Sequence, residues 1–317
     1  MHGDVMEIKP VPGGKSVFLA DSSAAAGNVW FIDSNNGTDA PGNGKSRGTG
    51  ALASLAYLLA GSTSPAFADY DVVHLMPGHA ETLAADLTIA KNSVAIIGHG
   101  RGSAMPKLTF DTNTDEIVVT GSGVMLKDFW CYATVASLQT FIDVDEGDFE
   151  ADGLWTTTAA GTAGALCHFD LATTKDNFVI RNHYALSDTD PNGTDQGDST
   201  GFVFCVDSEN ILLENVTALG NFETAIVHNK TTKAQNLFIR DCRFRQELAT
   251  GLLIEVVAAT TGGAERLYGH SPNADDATPA KMIGTYDVEF WIAGDCWFSN
   301  DSGGGGQLMI NSEAACS

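Results

Sequence analysis

Five short segments set the terms for this chain. They are Val124-Met125-Leu126-Lys127-Asp128, Asp148-Phe149-Glu150-Ala151-Asp152, Phe178-Val179-Ile180-Arg181-Asn182, Ile211-Leu212-Leu213-Glu214-Asn215 and Leu237-Phe238-Ile239-Arg240-Asp241. Each reads as an apolar strand that closes on an acid or an amide. The closing residue recurs after 24, 30, 33 and 26 residues (128 to 152, 182, 215 and 241). An irregular period of this size, built from strands, marks a β-solenoid. One coil cannot bury its inner face alone. Stacked on a neighbour it buries those side chains and satisfies its backbone, at roughly 4.8 Å per coil. Asp and Asn suit the corners because they tolerate the left-handed backbone and can bond to their own turn. Five corners in register can form a ladder, and each is also a turn former in its own right. The residues are read as structural, not catalytic.

Composition agrees. The 317 residues are 44% hydrophobic and 18% charged, with 34 glycines, which suits a β-rich protein with many turns. A net charge of −23 disfavours nucleic acid as a partner. No run of about 18 apolar residues is present, so no membrane helix is expected. The opening Met1-His2-Gly3-Asp4 lacks the order of a signal peptide, so synthesis in a cytoplasm is expected. The six cysteines form no CxxC pair and read as small hydrophobes without disulfides.

Residues 1–27 read as an extended arm, with Val5, Ile8, Val11, Val17, Phe18 and Leu19 as its apolar contacts. Val29 to Asp33 is a strand, and Ala51 to Ala60 a helix with an apolar stripe of Leu52, Leu55, Leu58 and Leu59. Such a helix suits the open end of a solenoid, where free strand edges invite aggregation. Residues 28–300 form the β-helix. Gly262 to Pro279 reads as a polar insertion, and residues 301–317 as a glycine-rich turn with a terminal strand.

Phe31-Ile32-Asp33-Ser34-Asn35-Asn36-Gly37-Thr38-Asp39, then Pro77-Gly78-His79-Ala80-Glu81-Thr82, then Ile96-Ile97-Gly98-His99-Gly100 carry a likeness. Over residues 29–110 the chain resembles tailed-phage β-helix virion proteins, which share their fold with tailspikes and pectate-lyase-like helices. The resemblance implies an all-β, right-handed parallel β-helix with one short capping helix and an N-terminal arm. It also implies a homotrimer on the outer capsid surface of a virion. The expected function is a non-enzymatic cement or decoration protein whose arm binds the major capsid protein, with no cofactor and no metal. The alternative is a tailspike that binds or cleaves host polysaccharide, using an acidic groove with Trp130, Trp155 and Tyr184. A free pectate-lyase-like enzyme would need a basic residue beside a cation, and only 17 basic residues are present.

The residues that bear on catalysis are few. Asp143, Asp145, Glu146, Asp148, Glu150 and Asp152 are where a glycosidase pair would be sought, with Asp143 and Asp145 on one face. They also read as a solvated turn. Asp188-Thr189-Asp190-Pro191-Asn192-Gly193 opens like a calcium loop, but its twelfth position is Ser199, with Asp195 and Asp198 nearby. Gly42-Asn43-Gly44-Lys45-Ser46 is not a P-loop, because Asp39 stands where the first glycine belongs. His79 and His99 read as structural.

Overall fold

The structure is a computed structural model. It describes residues 27–159, 164–171, 174–187, 201–222, 224–229, 236–247, 252–256, 261–271, 283–285, 289–292 and 296–300. The fold is all-β: the chain winds through three parallel sheets and returns to the first on every coil. The first sheet has ten strands, from Val29–Ile32 to Glu289–Ile292. The second has nine, from Ala80–Thr82 to Trp297–Asn300, and the third eight, from Leu87–Ile89 to Ile283–Thr285. One full coil runs Phe149–Asp152, Trp155–Thr158, Cys167–Leu171 and then back to Asp176–Arg181. This is a parallel β-helix.

Alternation within each strand sends one set of side chains inward. In the first sheet Phe149, Phe178, Ile211 and Leu237 stack in register, as do Ala151, Ile180, Leu213 and Ile239. All are buried. Each large apolar side chain buried this way contributes at most about 1.5–3 kcal/mol. The five segments found in the sequence all lie in this sheet.

The corners confirm the turn chemistry and shift one position. Between the first and second sheets, Asp128, Asn182, Asn215 and Asp241 hold φ of +57°, +52°, +52° and +55°. The second coil differs from expectation: Asp152 is the last strand residue, paired with Arg181, and Gly153 takes the corner at φ +73°. A Cβ on Gly153 would meet Oδ1 of Asp128 at 2.2 Å, so the acid cannot stand there. Side-chain amides link the coils, Asn215 to Asn182 at 2.8 Å and Asn182 to Asp152 at 2.7 Å. A second left-handed column, absent from the sequence reading, lines the corner from the third sheet to the first. There Asn236 donates to Asn210 at 3.0 Å, Asn210 to Asn177 at 3.3 Å, and Asn177 to Asp148 at 2.8 Å.

The expected helix is shorter than its sequence signal. It spans Leu55–Leu59, capped by Ser54, whose Oγ accepts from the Tyr57 amide. Leu52 instead bridges Ile32, and its amide donates to the Phe31 carbonyl at 2.9 Å. The strand edge thus competes for the residues before Ser54 and takes them. The stripe survives: Leu52, Leu55 and Leu58 are buried, and the helix packs against Leu87–Ile89, the first strand of the third sheet. Glu81 accepts from the amides of Leu55 and Ala56 at 2.7 and 3.0 Å. Asp39 accepts from the amides of Ala53 and Ser54. The motifs of the resemblance therefore build this end of the solenoid. Buried Asp71 completes it, accepting from Trp30 Nε1 at 2.7 Å and the Ala68 amide at 2.9 Å.

A second correction concerns the expected insertion from Gly262. Thr261–Glu265 and Tyr268–Ser271 are strands of the first and second sheets. Gly262 and Gly263 hid the strand from a hydrophobicity reading. A Cβ on Gly263 would lie 2.4 Å from the Trp291 ring, so glycine is required beneath that ring. Among the described residues no helix is long and apolar enough to cross a membrane. Among the described residues Cys131, Cys167, Cys205 and Cys242 are buried, as expected of small hydrophobes.

Candidate functional site

The second sheet turns the usual arrangement around. Its inward positions in the middle coils are small: Cys131, Thr156, Ala185 and Ala218 are fully buried. Phenylalanines from the third sheet fill the interior instead, with Phe141 edge-on to Phe110 at 5.3 Å and Phe169 edge-on to Phe202 at 5.6 Å. The bulky residues of the second sheet point outward. One outward column reads Lys107, Trp130, Trp155, Tyr184, Thr217, Arg243, Tyr268 and Trp297, in register across eight coils. Core packing does not account for these rings.

Their geometry is that of a continuous aromatic strip. Trp130 and Trp155 meet edge-on at 6.3 Å, and Trp155 and Tyr184 lie tilted at 5.4 Å. Tyr132, in the neighbouring outward column, sits 5.0 Å from Trp130. Trp130 Nε1 donates to Thr157 Oγ1 at 2.8 Å, which fixes the ring. The Lys107 ammonium sits 5.5 Å from the Trp130 ring centre and 5.3 Å from that of Tyr132, within cation–π range. Trp155 is 40% exposed, Tyr268 50% and Trp297 66%. Rings with one open face and a fixed edge are suited to stacking on a flat apolar ligand surface.

The third sheet carries carboxylates. Asp143 and Asp170 are in register on its outward face. Glu116 and Asp86 directly precede the paired residues Ile117 and Leu87. Burial, then the charges of Asp143, Asp86, Asp170 and Asp145, raises the Glu116 carboxyl to about 7. Burial, then Asp145 and Asp170, raises Asp143 to about 6. Both carboxyls therefore lose their protons closer to neutrality than ordinary ones do. Beyond them on the same face His228 pairs with Glu255 at 3.0 Å.

The acidic run expected to act together is divided. Asp143 faces outward from the third sheet, and Asp148 is a corner residue at φ +57°. Glu150 pairs with Arg181 on the first sheet, and Asp152 with Lys127 at 2.5 Å. That face is an alternating charge ladder, continued by Arg240 with Glu214 at 3.3 Å and by Arg266 with Asp241. The expected acidic groove lined by Trp130, Trp155 and Tyr184 is therefore two surfaces on different sheets. The three aromatics do come together. Glu116 and Asp170, the partners of Asp143, carry no local motif and were not singled out.

His79 is buried; its ring takes the Ser34 amide at 3.1 Å and meets Glu81 at 3.2 Å. His99 Nε2 lies 2.8 Å from His74 Nδ1. Both rings are held by contacts within the capping end of the fold. The arm residues Val5, Ile8, Val11, Val17, Phe18 and Leu19, the calcium-like loop from Asp188, and residues 301–317 lie outside the described residues. Among the described residues no group of three or more metal-ligating side chains converges.

No known protein family matches the chain, and no curated protein matches it in sequence. A rhamnogalacturonan lyase of known structure is similar in fold, with a TM-score of 0.50 and 11% identity, over 80% of this chain and 75% of that one. The likeness is one of fold, that of the pectate-lyase-like parallel β-helices.

Proposed function

We propose that the chain is a surface protein of a tailed-phage particle that binds an extended polysaccharide along the outward face of its second sheet. The observation that carries the reading is the in-register column of Trp130, Trp155 and Tyr184, with its rings outside and its small residues inside. Successive rings sit one coil apart, with centroids at 6.3 and 5.4 Å, a spacing on the scale of one sugar unit. The apolar C–H faces of sugar rings stack on the electron-rich faces of aromatic rings. The phage setting rests on the resemblance over residues 29–110. The similarly folded rhamnogalacturonan lyase is, by its name, a polysaccharide-acting protein, and the reading places the present chain in the same ligand class. Binding is favoured over cleavage because the only carboxylate in the nine strands of that sheet is Glu81, which caps the helix.

Affinity electrophoresis through host envelope polysaccharide tests the reading. The protein should be retarded, Trp155→Ala should migrate freely, and no new reducing ends should form. Unretarded wild-type protein overturns the reading, and release of reducing ends replaces binding with cleavage.

A second reading, a trimeric cement protein on the capsid, is favoured by one observation. Phe238, Tyr268, Trp291 and Trp297 are all exposed on the last coils. Phe238 and Trp291 lie on the first sheet and Tyr268 and Trp297 on the second, and exposed apolar rings of that kind suit contact with another protein. Hundreds of copies per virion, counted by quantitative mass spectrometry, would favour it. About a dozen would favour a tail location.

A further inference from the structure

The cations of this acidic chain are distributed unevenly over its faces. On the first sheet Lys127, Arg181, Arg240 and Arg266 each meet a carboxylate. On the third sheet the outward charges are Asp143, Asp170 and Glu255, the last paired with His228. The second sheet is the reverse. Its outward positions hold Lys107, Arg243 and Arg245, and only Arg245 has an ionic partner among the described residues, Glu247 at 2.6 Å. Lys107 and Arg243 occupy the same outward column as the aromatics. They bracket Trp130, Trp155, Tyr184 and Thr217 across five coil steps. At roughly 4.8 Å per step the two cations stand about 24 Å apart.

We propose that the glycan bound on this face is anionic, a carboxylate-bearing polysaccharide whose acid groups meet Lys107 and Arg243 while its rings stack between them. The inference rests on the polysaccharide-binding reading above and adds its charge and its register. An unpaired guanidinium holds a carboxylate through two parallel hydrogen bonds, and an ammonium holds one as a point charge. The net charge of −23 opposes any polyanion at long range. That field is screened beyond about 8 Å at physiological ionic strength, so the contact cations decide. Aromatics alone would take neutral and acidic chains alike. The two cations at the ends, neither of which meets a carboxylate among the described residues, are what discriminates.

The test is the affinity of the full chain, at physiological ionic strength, for polygalacturonate, neutral dextran, dextran sulfate and poly-glutamate. Wild-type protein should prefer polygalacturonate to dextran and to poly-glutamate by about tenfold or more. The pair Lys107→Gln with Arg243→Gln should lose about tenfold on polygalacturonate and leave dextran unchanged. Lys91→Gln, which removes an exposed cation at another corner, should change neither. Equal binding of dextran and polygalacturonate, with no effect of the double variant, overturns the inference and leaves polysaccharide binding standing. Poly-glutamate or dextran sulfate bound as tightly as polygalacturonate also overturns it, since the face would then read charge alone. Failure of every polysaccharide to bind overturns the functional reading itself.

Discussion

Asn215 donates its side-chain amide to Oδ1 of Asn182 at 2.8 Å, and both residues hold the left-handed backbone at φ +52°. Each asparagine therefore serves twice, once for its turn and once for the coil below. The two roles separate by substitution. Asn182→Gly keeps the backbone and loses the link to Asp152, which costs about 0.5–1.5 kcal/mol. Asn182→Ala also forces a Cβ into the left-handed region, which adds about 1–2 kcal/mol. Denaturant midpoints should fall in the order wild type, glycine, alanine. Equal midpoints for glycine and alanine would remove the turn from the explanation.

Glu116 gives a pH dependence of definite sign. Its carboxyl is raised from 4.5 to about 7 in the folded chain, first by burial and then by Asp143 and its acidic neighbours. Between those values the folded state binds the extra proton, so stability falls as pH rises through the window. Glu116→Gln removes this dependence. The variant should gain about 1 kcal/mol over wild type at pH 8, a figure reduced for partial solvent exposure, and gain nothing at pH 4. Thermal unfolding at both pH values decides it. A variant less stable than wild type at pH 8 would mean that the ionised carboxylate is held by attraction instead.

Thr156 holds two buried histidines, with Oγ1 2.6 Å from His168 Nδ1 and 2.8 Å from His183 Nε2. A hydroxyl has one proton, so it donates to one ring nitrogen and accepts from the other. Burial, then the nearby His168, keeps His183 well below its ordinary value, so the folded chain resists its protonation. Below about pH 6.5 the unfolded chain binds more protons, and stability falls as pH falls. Thr156→Val leaves buried ring nitrogens without their partner and should cost about 1–3 kcal/mol. Denaturant unfolding at pH 7.5 measures it, and a change below 0.5 kcal/mol would rule out the bridge.

What was legible in the sequence follows from where side chains repeat. The first sheet was readable because its strands carry large apolar residues in alternation and close on Asp or Asn at nearly one period. The corner column through Ser93, Gly123, Asp148, Asn177, Asn210 and Asn236 uses four residue types, so no motif marked it. The Thr261–Glu265 strand carries little hydrophobic signal because Gly263 lies under the outward-facing Trp291 ring, which leaves no room for a side chain there. Trp130, Trp155 and Tyr184 were visible as aromatics but not as one column, since their alignment depends on loops of unequal length between coils. The carboxylates around Glu116 are brought together from four coils, and sequence distance conceals that entirely.

Stacking on Trp155 is most directly tested by tryptophan emission under acrylamide quenching, with and without saturating polygalacturonate. Binding along the second sheet should shield Trp155 and reduce quenching, and Trp155→Phe should lose part of that protection while still binding. Undiminished quenching of wild-type protein at saturation would place the ligand elsewhere and contradict the aromatic column as the binding surface.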